Sequence, residues 1–268
     1  MKIGIIGYGS MGKMLLEKFC RTDNELFVSN RTLSKIESSD KYVICDSNAE
    51  LARLSDIIFI CVRPGDILGV LSGIVDTASS DALIISLNGS IRFESLEELS
   101  LRKYAKVIPS VTAEIDRSQT LVTYHSRVTD EDKKSLTSLL SCIGNVIELP
   151  EDEMGMGSEL VSCMPGFIAS MFDVVSKSAR KHTSIPDDQI VDMLLNTLSS
   201  TADLMLQKDM SFEDVVSRVA TKGGITETGT RVIYDSFPET CDEMFEKTLA
   251  KRRQTASFKL FEKGPDLG

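Results

Sequence analysis

Lys2-Ile3-Gly4-Ile5-Ile6-Gly7-Tyr8-Gly9-Ser10-Met11-Gly12 opens the chain, and its reading decides the fold. Lys2–Ile6 is a short apolar run of strand-forming residues. Gly7, Gly9 and Gly12 follow at G-x-G-x-x-G spacing, where a strand hands over to a helix. Gly7 is expected to make the tight turn, Gly9 to let backbone approach a pyrophosphate, and Gly12 to bring the next helix close to the sheet. That helix, expected over Lys13 to Cys20, would aim its unpaired N–H groups and positive dipole end at the bound phosphates, with Ser10 and Met11 in the same turn.

The next apolar run, Leu26-Phe27-Val28, ends in Ser29-Asn30-Arg31-Thr32. An NAD-specific fold usually carries an acidic side chain there, on the ribose 2′-hydroxyl. None is present. Asn30 and Thr32 can donate to a phosphate, Arg31 offers a planar cationic fork, and Lys35 follows one turn later, so the expected cofactor is NADP(H), with NAD the less favoured choice.

Outward from this start, β-rich runs alternate with helical segments: Leu26–Val28, Tyr42–Cys45, Ile57–Val62, Ala82–Ser86, Lys106–Ile108, Leu121–Tyr124 and Asn145–Glu148. The alternation predicts βαβ units in a largely parallel, doubly wound sheet. Ile57–Val62, apolar without a break, is expected near the sheet centre. After Pro150 the pattern becomes helical, over Glu153–Lys181, Asp187–Gln207, Phe212–Val219, Thr226–Tyr234 and Glu239–Phe261. Pro186 and Pro238 are expected in first helical turns, after Ser184 and Ser236, and Pro165 is expected to kink its helix. The fold class is therefore α/β: a Rossmann domain over residues 1–150 and an all-helical substrate and dimerisation domain over 151–268. Leu160, Val161, Met164, Phe167, Ile168, Met171, Phe172 and Val175 exceed one helix face, which predicts burial between subunits and a homodimer or higher homo-oligomer. Lys263–Gly268 reads as a frayed end.

Composition narrows the function classes. A net charge of −10 over 268 residues argues against nucleic acid and anionic membrane as partners. No stretch of about 18 consecutive apolar residues and no charged-then-apolar leader is seen, so a cytoplasmic protein is expected. The cysteines (Cys20, Cys45, Cys61, Cys142, Cys163, Cys241) lack C-x-x-C spacing, and only His125 and His182 could join them, so no metal site is expected. Lys251-Arg252-Arg253 is read as a solvated helix face.

Taken in order, GYGSMG (7–12), SNRT (29–32), Ser47-Asn48, Cys61-Val62-Arg63-Pro64, Lys106-Val107-Ile108-Pro109 and Thr221-Lys222-Gly223-Gly224-Ile225-Thr226 make the chain resemble the pyrroline-5-carboxylate reductases over nearly its whole length. The resemblance implies NAD(P)H-dependent reduction of the ring C=N of pyrroline-5-carboxylate to L-proline. It places Gly7, Gly9, Ser10, Met11 and Gly12 on the pyrophosphate, Asn30, Arg31 and Thr32 on the adenosine phosphate, and Asn48 on the adenosine side. Val62, Arg63 and Pro64 would line the nicotinamide half, with Arg63 where the family usually has lysine. In the last motif, backbone N–H groups of the glycine turn, with Thr221, Lys222, Gly223, Gly224 and Ile225, would hold a substrate carboxylate. The Thr226 hydroxyl would bond the imine nitrogen.

The departures lie on the substrate side. Val161-Ser162-Cys163-Met164-Pro165-Gly166-Phe167 stands where the family has SGSGPAY, Lys222 replaces a proline, and Ser110 replaces an asparagine. Kept cofactor residues with altered substrate residues are the pattern of a divergent paralogue, such as the members encoded beside bacterial competence genes. The expected function is NADPH-dependent reduction of a small cyclic imino acid. The alternative is a catalytically silent dinucleotide-binding protein that acts through its dimer as a regulatory or interaction partner. A third reading, hydride transfer to a hydroxy acid or open-chain imine, wants a catalytic lysine on the first interdomain helix, and none occurs between Glu151 and Ser176.

Overall fold

The computed structural model describes residues 1–89 and 91–257, so the expected end of the last helix and the 263–268 terminus lie outside the described residues. The first half alternates β1 (Lys2–Ile6), α1 (Ser10–Phe19), β2 (Glu25–Ser29), β3 (Val43–Ile44), α2 (Asn48–Leu54), β4 (Ile57–Ile60), α3 (Ile67–Ile74), β5 (Leu83–Ser86), α4 (Phe93–Glu97) and β6 (Lys103–Ile108). It closes with β7 (Ser118–Tyr124), α5 (Asp130–Leu140) and β8 (Gly144–Glu148). The sheet order is β3-β2-β1-β4-β5-β6-β7-β8. The pairings are parallel except β6 with β7, where the short link through Ser110–Arg117 leaves too few residues for a crossover helix.

Alternation explains why these runs become covered strands. Ile3 and Ile5 of β1, with Ile57 and Phe59 of β4, enter one apolar layer, while Ile6, Ile58 and Ile60 enter the other. Helix α1 buries Leu15, Leu16 and Phe19, and the Phe19 and Phe59 rings lie 5.4 Å apart. Each such side chain contributes about 1.5–3 kcal/mol. Strand order reverses between β1 and β4, which opens a crevice at their carboxyl ends.

Beyond β8 the chain is helical: α6 (Met154–Ser158), α7 (Met164–Ala179), α8 (Asp187–Lys208), α9 (Phe212–Val219) and α10 (Ile225–Ser257). Pro165 lies in the first turn of α7, directly after a π-helical turn over Glu159–Cys163. Two expectations are corrected. Pro186 is the N-cap of α8 and not a first-turn residue. Pro238 starts no helix but sits inside the 33-residue α10, whose other hydrogen bonds carry it through one missing N–H.

Two compact units emerge: Met1–Pro165 with the described residues from Leu249 on, and Gly166–Thr248. The first extends past the expected boundary at 150 because Met154 is buried with Ile108 and Leu121, and Val161 packs on the same cluster. In the second, Ser176 and Ile190 are the buried side chains among the described residues, whereas Leu206, Phe212 and Ile225 are 76%, 81% and 95% exposed. The helical run Glu151–Ala179 is long and apolar enough, by length and composition, to cross a membrane, a feature that a count of consecutive apolar residues does not find.

Candidate functional site

The glycine turn is built by close approach. Gly7 has φ +103°, and a Cβ there would lie 2.6 Å from the Cys61 carbonyl oxygen. A Cβ on Gly12 would lie 2.0 Å from the Gly7 carbonyl oxygen, so α1 can reach the sheet only with glycine at that position. A Cβ on Gly9 would meet nothing within 4 Å. Gly9 is also the N-cap of α1, which has no side-chain acceptor at its start and no acidic residue in its first turn. By contrast α2, α5 and α9 are capped by Ser47, Thr129 and Ser211. The start of α1 thus presents unpaired N–H groups and a positive dipole end beside open space.

That turn borders a cleft of about 810 Å³ at the carboxyl ends of β1, β2 and β4. Gly7 and Gly9, then Asn30, Arg31, Thr32 and Lys35, then Asn48, and finally Val62 and Arg63 line it. Four residues expected at the cofactor do not: Ser10, Met11, Gly12 and Pro64 are absent from its walls. Met11 packs into the core, and Gly12 is buried against the Gly7 carbonyl. Tyr8, Asp46, Ser47, Cys61, Gly65 and Asp66 line the cleft without having been singled out as cofactor residues. The sequence offered one signal for Ser47, as the polar start of α2. Asp46 and Asp66 bring negative charge that the acid-free end of β2 did not announce.

Hydrogen bonds divide the lining into scaffold and free groups. The Gly7 N–H donates to the Ser29 carbonyl at 2.8 Å. The Tyr8 N–H donates to Asn30 Oδ1 at 3.2 Å, and Asn30 Nδ2 donates to the Thr32 carbonyl at 2.9 Å, so Asn30 ties the glycine turn to the β2 loop. Ser29 Oγ donates to Asn48 Oδ1 at 2.7 Å. Arg31 and Lys35 remain exposed in the wall as cations. Burial pushes the Cys61 thiol well above its ordinary value, so it stays neutral and adds no charge. These residues fit a dinucleotide: a dipole end and an open Gly9 for a pyrophosphate, and a cationic edge for a further phosphate.

A second cavity, of about 510 Å³, lies at the carboxyl ends of β7 and β8. Its acids are already engaged, Glu151 by Lys106 and Glu97 by His125, so it presents less free chemistry than the cleft.

The motif at 221–226 forms the turn into α10. Gly223 has φ +74°, a conformation that favours glycine, and a Cβ on Gly224 would lie 2.5 Å from Thr221 Oγ1. The Gly224 N–H donates to the Thr221 carbonyl at 2.8 Å, and the Gly223 N–H donates to Glu227 Oε2 at 2.5 Å. Lys222, Ile225 and Thr226 are exposed. Among the described residues the Thr226 hydroxyl makes no hydrogen bond.

The basic run at 251–253 is corrected in its middle member. Arg252 reaches inward, donating through Nε and Nη2 to Glu159 Oε1 at 3.1 and 2.7 Å, and through Nη2 to Ser158 Oγ at 3.1 Å. Glu159 is 1% exposed, and its Oε2 is buried without a partner among the described residues. Burial and then the Glu159 charge push the Cys163 thiol up, so it is no ready nucleophile.

Comparison with known proteins matches two stretches of the chain. Residues 2–89 match a family model described as NADP oxidoreductase coenzyme F420-dependent, and residues 151–255 match one described as pyrroline-5-carboxylate reductase dimerisation. The chain is 34% identical to pyrroline-5-carboxylate reductase 3 of Bacillus subtilis, over 93% of this chain and 95% of that protein. It is 26% identical to ComE operon protein 4 of the same organism, over 96% and 97%. A crystal structure of Plasmodium falciparum pyrroline carboxylate reductase with NADP bound has the same fold, with a TM-score of 0.85 at 22% identity, over 96% of this chain and 98% of that one.

Proposed function

We propose, from the premise that this chain belongs to the pyrroline-5-carboxylate reductase family, that it reduces the C=N bond of a small cyclic imino acid, pyrroline-5-carboxylate being the first candidate, and prefers NADPH. The observation that carries the reading is the uncapped, acid-free start of α1 beside Gly9, opening into a cleft edged by Arg31 and Lys35. A nicotinamide dinucleotide bound there supplies the hydride. Gly9 and the first N–H groups of α1 hold its pyrophosphate, Arg31 and Lys35 neutralise a 2′-phosphate, and Val62 and Arg63 border the nicotinamide half. The glycine turn before α10 holds the carboxylate, and the Thr226 hydroxyl donates to the nitrogen of the imine. The nitrogen accepts that bond through its lone pair, and the proton it takes up as the ring carbon receives hydride comes from solvent by way of that hydroxyl, so no strong acid is asked of the protein.

The 2′-phosphate assignment has a direct test. Arg31→Ala removes a charge-assisted contact worth about 1.5–3 kcal/mol, so it weakens NADPH binding at least tenfold and leaves NADH nearly unchanged. Titration calorimetry with both nucleotides checks this, and equal wild-type affinities would contradict it.

Homo-oligomerisation through the helical half is part of the same reading. It is supported by the dimerisation-model match and by the near absence of buried side chains in 166–248. Light scattering at micromolar concentration should give at least twice the monomer mass; a monomer would overturn it. Subunit packing accounts for the apolar Glu151–Ala179 helix without a membrane, which fits action in the cytoplasm.

A second reading, a silent regulatory paralogue, is favoured by the altered 161–167 segment and by the likeness to ComE operon protein 4. NADPH consumption with pyrroline-5-carboxylate and a panel of cyclic imino acids separates the two. Turnover of any of them supports the reductase, and turnover of none supports the paralogue.

A further inference from the structure

The glycine turn before α10 is not open to a carboxylate in the way its sequence suggests. Both glycine N–H groups are engaged: Gly224 by the Thr221 carbonyl at 2.8 Å, and Gly223 by Glu227 Oε2 at 2.5 Å. The first bond belongs to the turn itself. The second is made by a side-chain carboxylate, the same chemical group that an imino acid would bring. Glu227 also stands in the first turn of α10, where its negative charge is stabilised by the helix dipole and opposes a second anion at the same place. The N–H groups of Ile225 and Thr226, in the first turn of α10, are the other backbone donors at this place. Gly223 is held at φ +74°, and the Thr221 side chain and carbonyl crowd Gly224.

We propose that Glu227 is a specificity-determining residue at this turn: its carboxylate is an intramolecular competitor that a carboxylated substrate must displace from the Gly223 N–H. The inference rests on the proposed reading of the turn as the substrate-carboxylate site. Its consequence is selectivity. Ligands with a carboxylate on the ring bind more weakly than the turn alone would allow, and neutral ring ligands are not penalised.

The test measures binding and not turnover, so it stands apart from whether any imine is reduced. The probes are cyclopentanecarboxylate and its uncharged counterpart, cyclopentanecarboxamide, titrated into NADPH-loaded full-length protein. Glu227→Ala removes the competitor. Glu227→Gln keeps an acceptor for Gly223 but removes the charge. Losing one such hydrogen bond and charge tightens the carboxylate by roughly three- to tenfold in Glu227→Ala, and by less in Glu227→Gln, while the carboxamide changes less than about twofold. A role confined to capping α10 would lower the melting temperature and leave the carboxylate-to-carboxamide ratio unchanged, which overturns the proposal. So does failure of the carboxylate to bind any of the three proteins. Tightening without turnover of any imine upholds the role of Glu227 and rejects the reductase reading.

Discussion

Replacing Arg252 with alanine is expected to lower the unfolding free energy by about 3–5 kcal/mol, because it leaves the Glu159 carboxylate buried without a cation. Glu159 is 1% exposed, one of its oxygens lacks a partner among the described residues, and the other is held by two Arg252 nitrogens at 2.7 and 3.1 Å. The attraction between the two groups offsets their desolvation only while both are present. The double variant Glu159→Leu/Arg252→Met, which removes both charges and keeps apolar volume, should recover most of the loss. Urea denaturation of the wild type, the single variant and the double variant measures both numbers. An unchanged midpoint for Arg252→Ala would show that the pair contributes nothing, and no recovery in the double variant would show that the loss is one of packing.

The second large effect is kinetic. Thr226→Val is expected to lower kcat by about a hundred- to a thousandfold, since a positioned donor that strengthens its bond in the transition state is worth about 2.7–4 kcal/mol. Valine keeps the branched shape and removes the hydroxyl, so NADPH affinity and the melting temperature should hold. Cys163→Ala should leave kcat near the wild-type value, because that thiol is held in its neutral form. Steady-state rates with the best imine substrate decide the matter. A wild-type rate in Thr226→Val contradicts the role given to its hydroxyl.

What was legible in the sequence was whatever local physics controls. The central strands were recognisable because a strand covered on both faces is a short unbroken apolar run, as Ile57–Ile60 is, whereas the partly exposed edge strands β3 and β8 showed only as short β-rich runs. The cofactor turn was recognisable because only glycine satisfies the contacts at 7 and 12. Long-range pairing was hidden. Arg252 sits in a basic run that looks solvated, and its partner lies 93 residues earlier, beyond any helical periodicity. Pro238 looked like a helix start because proline is tolerated there, but a helix of 33 residues can lose one hydrogen bond and continue. Asn30 looked like a phosphate ligand because its amide can donate; the fold spends that amide on the Thr32 carbonyl and the Tyr8 N–H. Glu227 belongs to the same class. The turn motif announced free N–H groups, and only the three-dimensional fold shows one of them taken by the next acidic side chain.

The central claim is that the chain moves a hydride from a nicotinamide dinucleotide to the carbon of a cyclic C=N bond. Its most direct test is transfer of label. NADPH carrying deuterium at the reactive position of its nicotinamide ring is incubated with the protein and pyrroline-5-carboxylate, and the amino acid formed is weighed by mass spectrometry. The account predicts proline carrying one deuterium on the former imine carbon, formed in step with loss of NADPH absorbance. Neither labelled nor unlabelled proline, from a protein that binds NADPH, would contradict it.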